Sequence, residues 1–274
     1  MIIYFTGTGN SLAAAKRLAD KTGDRAVPLR AVRNAELAAE RRIGIVFPVY
    51  CFDAPPPVRE FLDQARFAKD AYIYVVATCG ASVGRAIRTA VRLIAGNGAE
   101  VSLSRKLRYP DSASVAVGAN ANPKISRCKK AEAEIDAIAR DIEAGHRDLR
   151  EVHGSTAAAL ADTRSGRALV SWAFRQEPDP SICNGCGLCA KVCPCSNIEI
   201  ADGHARIRDR AHCAHCMACV QFCPCQAMTI RGRRVRPELQ YLHPGVTAAD
   251  LFASSSSGAS PKLRKTIMTQ RAHR

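Results

Sequence analysis

The chain has 274 residues, 47% of them hydrophobic, and a formal net charge of +15. That length leaves room for a core of ordinary size plus a smaller module, and the apolar content excludes a disordered chain. No run approaches the roughly 18 apolar residues a membrane helix needs, and sparse aromatics without a nucleic-acid-reading motif argue against nucleic-acid binding.

Met1-Ile2-Ile3-Tyr4-Phe5 reads as the first strand of a mature domain, with no basic segment leading into an apolar signal core. A cytoplasmic protein is therefore expected. Thiols stay reduced in that compartment, so thirteen cysteines imply metal or redox chemistry in place of structural disulfides. The positive charge suits acidic partners, nucleic acid or an anionic membrane face. A generally basic, Arg-rich surface accounts for it equally well.

Residues 1–110 alternate apolar runs with helical spacing. Strands are expected at Met1–Phe5, Ile43–Phe47, Ala71–Thr78 and Glu100–Leu107, and helices at Ser11–Lys21 (Ser11 as cap), Val58–Ala65 and Gly84–Ile94. Strands separated by helices predict a parallel sheet covered on both faces. Lys124–Ala144 has the charge spacing of an exposed amphipathic helix. Residues 151–176 form a connector, with a helix expected around Ala157–Asp162. From 237 the chain carries Ser254–Ser257 and a basic end, and a flexible tail is expected over 237–274.

Between these lies a duplication. Cys183-Asn184-Gly185-Cys186-Gly187-Leu188-Cys189…Cys193-Pro194-Cys195 is matched thirty residues later by Cys213-Ala214-His215-Cys216-Met217-Ala218-Cys219…Cys223-Pro224-Cys225. Each copy reads C-x2-C-x2-C-x3-C-P, and two copies mean two small units of one kind. Three thiolates at that pitch can wrap one corner of a cubane, whereas the fourth cysteine lies too far along to close the same corner comfortably. Zinc needs no such spacing. Cys195 and Cys225 follow each fourth cysteine by two residues. They either pack as small apolar residues or serve as alternative ligands or thiols that tune a cluster. His212 and His215 are expected to face solvent.

The first strand is followed by Thr6-Gly7-Thr8-Gly9-Asn10-Ser11. Glycines let backbone approach an anion, and hydroxyls with the N–H groups of a helix start can cradle a phosphate. The Lys-Ser/Thr ending of a nucleoside-triphosphate loop is missing. Pro48-Val49-Tyr50 and Thr78-Cys79-Gly80 end later strands and are expected to converge on the same place, because ligands sit outside the carboxyl ends of such strands. Tyr50 either borders a bound ring or simply packs near its strand end. Cys51 and Cys79 are expected to be buried and inert.

These segments resemble known families. The glycine loop resembles the flavodoxin phosphate loop, with Ser11 where that family usually has threonine. Residues 177–232 resemble bacterial two-cluster ferredoxins. Together, residues 1–232 resemble fused flavodoxin–ferredoxin proteins, often called EFR1-type ferredoxins.

The resemblance implies an α/β, flavodoxin-like doubly wound sheet over residues 1–150, then a small α+β ferredoxin domain over 177–236. It implies FMN held by Thr6, Gly7, Thr8, Gly9, Asn10, Ser11, Pro48, Val49, Tyr50, Thr78, Cys79 and Gly80. It also implies two [4Fe–4S] clusters with crossed ligation. Cys183, Cys186, Cys189 and Cys223 hold one; Cys213, Cys216, Cys219 and Cys193 hold the other.

The function expected is a relay of electrons between the clusters and the flavin, exchanged with redox partner proteins, since no second dinucleotide fingerprint is visible. Two alternatives are a flavin-dependent reductase of a small molecule fed by the clusters, and an iron-sulfur redox sensor. For a reductase, Asp53 and Tyr50 are weak acid/base candidates.

Overall fold

A computed structural model describes residues 1–118, 125–153 and 163–256. The helix expected around Ala157–Asp162 and the basic end of the chain lie outside these residues.

In chain order the first unit runs β1 (Ile2–Tyr4), α1 (Asn10–Thr22), β2 (Ala26–Pro28), α2 (Asn34–Ala39), β3 (Arg42–Pro48), α3 (Pro56–Gln64), β4 (Tyr72–Cys79), α4 (Ala86–Gly96), β5 (Val101–Arg108), α5 (Ser126–Glu143) and β6 (Asp148–Leu149). All six strands form one parallel sheet in the order β2-β1-β3-β4-β5-β6. This is the flavodoxin-like doubly wound order, with its switch point between β1 and β3.

The reason lies in the strands. Ile3, Phe5, Ile45, Ile73 and Val75 point to a core shared with α3 and α4, while Ile2, Tyr4, Val46, Tyr74 and Val76 point to one shared with α1 and α5. Strands buried on both faces read as continuous apolar runs.

The second unit continues with α6 (Arg164–Ala173), β7 (Gln176–Pro178), α7 (Leu188–Val192), β8 (Ile198–Ala201), β9 (His204–Ile207), α8 (Ala218–Gln221) and β10 (Met228–Ile230). Here β7 pairs antiparallel with β10, and β8 with β9. The thirty-residue repeat is visible in the backbone. Gly185, Gly187 and Ser196 hold φ of 68°, 73° and 48°, and their counterparts His215, Met217 and Gln226 hold 52°, 62° and 56°.

The segment after β10 departs from the expected flexible tail. Val235 and Leu239 pack into the second unit, and Val246 and Leu251 into the first. The chain thus returns across both units and ends its described part in α9 (Ala248–Ser256). Five apolar side chains over residues 235–251, counting Tyr241, are buried, enough to hold a segment whose charge alone suggests disorder.

Candidate redox site

The eight predicted cysteines line two separate cavities. One is bordered by Cys183, Cys186, Cys189 and Cys223, the other by Cys193, Cys213, Cys216 and Cys219. Each thus takes three cysteines from one copy and the fourth from the other. Cys225 borders the first cavity and Cys195 the second. The thiols surround a volume; among the described residues no three His, Cys, Asp or Glu side chains gather as a single metal ion requires.

The local fold explains the placement. In each copy a left-handed residue, Gly187 or Met217, turns the chain into a short helix carrying the third cysteine. The N–H four residues beyond the fourth cysteine then points at its sulfur. Asn197 donates to Cys193 Sγ at 3.4 Å and Ala227 to Cys223 Sγ at 3.1 Å. Ala205 donates to Cys183 Sγ and His215 to Cys213 Sγ, both at 3.4 Å. Such bonds favour thiolate and tune a bound cluster. Burial pushes the Cys189 thiol up to about 11, so a ligated centre must displace a proton there.

Exposure separates the two cavities. Cys186 is exposed, whereas its counterpart Cys216 is buried. His212 is exposed beside Asp209, but His215 does not face solvent as expected. It is half-buried, its ring 3.2 Å from the Phe174 carbonyl, and burial lowers its basicity.

The glycine-hydroxyl loop lies at the carboxyl edge of β1, as expected, with Thr6, Gly7, Thr8, Gly9 and Ser11 buried and Asn10 half-buried. Ser11 is not the helix cap. Gly9 takes that position at φ 96°, and the Ser11 hydroxyl instead meets Thr78 Oγ1 at 2.8 Å. That bond joins the loop to the end of β4. Val49 donates to the Thr78 carbonyl at 2.9 Å, and Pro48 stands opposite Thr78 in the sheet. Thr78, Cys79 and Pro48 are buried; Val49, Tyr50 and Gly80 are half-buried. All three predicted segments therefore converge.

Sequence reasoning missed two further contributors. Asn10 Nδ2 donates to the Pro110 carbonyl at 3.1 Å, and a Cβ on Gly80 would lie 2.7 Å from Asp111 Cβ. Cys51, expected to be buried, is exposed as a residue, yet desolvation pushes its thiol up to about 11, as it does that of the buried Cys79.

The loop suits an anion. The backbone N–H groups of Thr8, Asn10 and Ser11 meet no acceptor among the described residues. Buried N–H groups rarely stay unpaired, and three of them at the start of a 13-residue helix form a phosphate-type donor set. Around them the loop is enclosed by protein. A Cβ on Gly7 would lie 2.5 Å from the Tyr50 hydroxyl and 3.0 Å from Cys216 Cβ; one on Gly9 would lie 3.1 Å from Cβ of both His243 and Val246. His243 N–H donates to the Thr8 carbonyl at 3.0 Å, and Tyr241 OH to Asn10 Oδ1 at 2.6 Å. These partners were hidden from the sequence because they come from the far end of the chain.

Comparison with solved structures finds a flavodoxin from the domain Archaea, at 15% identity over 52% of this chain and 96% of that one, with a TM-score of 0.37. The two-electron reduced Megasphaera elsdenii flavodoxin is similar at 17% identity, over 48% of this chain and 97% of that one, TM-score 0.35. Rubredoxin oxygen:oxidoreductase from Desulfovibrio gigas is similar at 15% identity over 53% of this chain and 36% of that one, TM-score 0.38. No curated protein matches the chain significantly. Residues 176–229, the segment holding all ten cysteines of the duplication and so the eight expected as ligands, match the family model of a 4Fe-4S dicluster domain.

Proposed function

We propose that the chain is a cytoplasmic electron-transfer protein of the fused flavodoxin–ferredoxin, EFR1-type kind, relaying electrons between two [4Fe–4S] clusters and an FMN. Residues 1–150 would form the flavin unit and 177–236 the cluster unit, joined by the connector 151–176. One observation carries the reading: two cavities, each lined by three cysteines of one repeat and the fourth of the other. That is the ligand set of a two-cluster ferredoxin.

The unpaired N–H groups of Thr8, Asn10 and Ser11 support a flavin phosphate in the first unit, with Tyr50 and the Thr78–Gly80 turn beside it. Bound FMN would accept electrons singly or in pairs, whereas a cubane passes one at a time. The protein's own part is to hold the two kinds of centre close, and to keep water from them with the segment around His243 and Val246. Redox partner proteins would supply and collect the electrons.

Anaerobic purification with iron, sulfide and flavin analysis tests this. About eight irons per chain are expected from two cubanes, with FMN as the extracted flavin. Two irons, or zinc alone, would refute the clusters; no flavin after reconstitution would refute the first-unit reading.

A further inference from the structure

The two halves of the cysteine repeat are equivalent in sequence but not in setting. Cys216 lies in an apolar cluster with Val192 and Ala218, against which Tyr50, Phe222 and Phe252 pack. Its neighbour Ala214 is buried in the main core of the first unit, and Cys195 packs against that core. The counterpart of Cys216 is Cys186, which is exposed at the opposite cavity. Docking of the units therefore gives one cavity an inward face and the other an outward one.

The inward face meets the anion loop directly. The Tyr50 hydroxyl and Cys216 both abut Gly7, close enough that a methyl group there would lie 2.5 Å from the first and 3.0 Å from the Cys216 Cβ. Tyr50 also stands edge-on to Phe5, with ring centres 6.5 Å apart. No solvent layer separates the loop from the cysteine. Electron tunnelling weakens steeply with distance and is favoured by packed atoms over gaps.

We propose that electrons pass between flavin and ferredoxin unit at the Gly7–Tyr50–Cys216 contact. The cluster of Cys193, Cys213, Cys216 and Cys219 is then the inner station, and that of Cys183, Cys186, Cys189 and Cys223 the port to outside partners. This rests on the cofactor reading above. A reduced one-electron carrier gives one electron to the outer cluster and is itself oxidised. The electron moves to the inner cluster and on to the flavin, and each cluster returns to its oxidised state. Two such passages, with two protons from solvent, complete the two-electron reduction. Tyr50 is the bridging residue and undergoes no net change.

Two measurements on the full chain, loaded anaerobically with iron, sulfide and FMN, decide the matter. First, Tyr50→Phe and Tyr50→Ala are reduced by reduced methyl viologen in stopped flow. With rates scored on the flavin-loaded fraction of each protein, the expectation is unchanged cluster reduction, and flavin reduction slowed several-fold in Tyr50→Ala but not in Tyr50→Phe. Flavin reduction at the parental rate in a fully loaded Tyr50→Ala would overturn the inference.

Second, a water-soluble paramagnetic relaxation agent is titrated against the two cluster EPR signals, assigned by the spectral change in Cys186→Ser. The agent should broaden the signal that Cys186→Ser alters. Broadening of the other signal instead would overturn the inference. This second arm needs no flavin: a protein with both clusters and no FMN refutes the flavin reading, while the relaxation result still decides which cluster faces outward.

Discussion

Gly185 and His215 occupy the same place in the two halves of the repeat and share a left-handed backbone, at φ 68° and 52°. Their surroundings differ. A Cβ on Gly185 would collide with the carbonyl of Gly203 in the β8–β9 turn, whereas His215 carries a full side chain. A non-glycine residue in this region costs about 1–2 kcal/mol in conformation alone, and the collision adds to it. Gly185→Ala is thus expected to loosen the outer cavity and lower iron retention towards four per chain, while His215→Ala keeps eight; equal retention in both would refute the clash. A second residue-scale case lies in the sheet. Tyr74 is fully buried and its hydroxyl has no hydrogen-bond partner among the described residues. Its ring lies against Gly44, where any Cβ would strike it. An unsatisfied buried hydroxyl carries a desolvation penalty of about 1–3 kcal/mol. Tyr74→Phe should therefore leave stability unchanged or raise it by up to about 1 kcal/mol. A clear loss in chemical denaturation would mean that the hydroxyl is satisfied in solution.

Among the elements, α5 and β5 are tied by the buried Arg105, whose guanidinium meets Asp141 at 2.7 Å and Asp148 at 3.2 Å. Hydrogen bonding to Arg105 is the largest influence on Asp141 and holds its carboxyl below the usual range. A carboxyl depressed by folding stabilises the protein at neutral pH; that contribution is complete above its unfolded value, about 3.9, and fades as pH falls through the folded one. Arg105→Met should accordingly lower stability at pH 7 by about 2 kcal/mol, with the gap to the parent narrowing below about pH 4. A gap independent of pH would assign the loss to packing. The return segment is the other structural tie. Leu251 is 3% exposed in the core beneath α1 and α5, and Leu251→Ala should cost about 2–3 kcal/mol and make flavin easier to extract, since the same segment places His243 and Val246 on the anion loop. Retention equal to the parent would show that the cover is dispensable. How legible these elements are in sequence follows from burial. The runs at β1, β3 and β4 are buried on both faces and stand out as apolar blocks, whereas β5 interleaves Val101, Leu103 and Leu107 with Ser102, Ser104, Arg105 and Lys106. β2 is three half-buried residues ending in Pro28, and β6 is two residues; neither has a pattern to read. The cysteines and the glycine loop declare themselves because their chemistry fixes their spacing. The meeting of Cys216 with Gly7, and of His243 with Thr8, depends on how distant segments dock, and no local periodicity encodes it.

Across the whole molecule, most of the positive surplus lies outside the cysteine-rich unit. The net charge is +15, yet residues 176–230 hold four basic residues, Lys191, Arg206, Arg208 and Arg210, against five acids, Glu177, Asp179, Glu199, Asp202 and Asp209. Arg231, Arg233, Arg234 and Arg236 follow directly, so the unit over 177–236 holds eight basic residues against five acids; three of the fifteen surplus charges lie on it and most lie outside it. Part of it is neutralised locally, as in the pairs Arg206–Asp202 at 2.5 Å and Arg208–Glu199 at 2.8 Å near the outer cavity. Such a charge would draw an acidic redox protein, were one its partner, to the molecule at long range. Electrostatic steering is screened over about 8 Å at physiological ionic strength. The rate of cluster reduction by an acidic one-electron carrier protein should thus fall steeply as salt is raised from low ionic strength. With an uncharged small donor the same titration should be nearly flat. If the two donors respond alike, the basic surroundings have no part in partner capture, and the charge serves solubility alone.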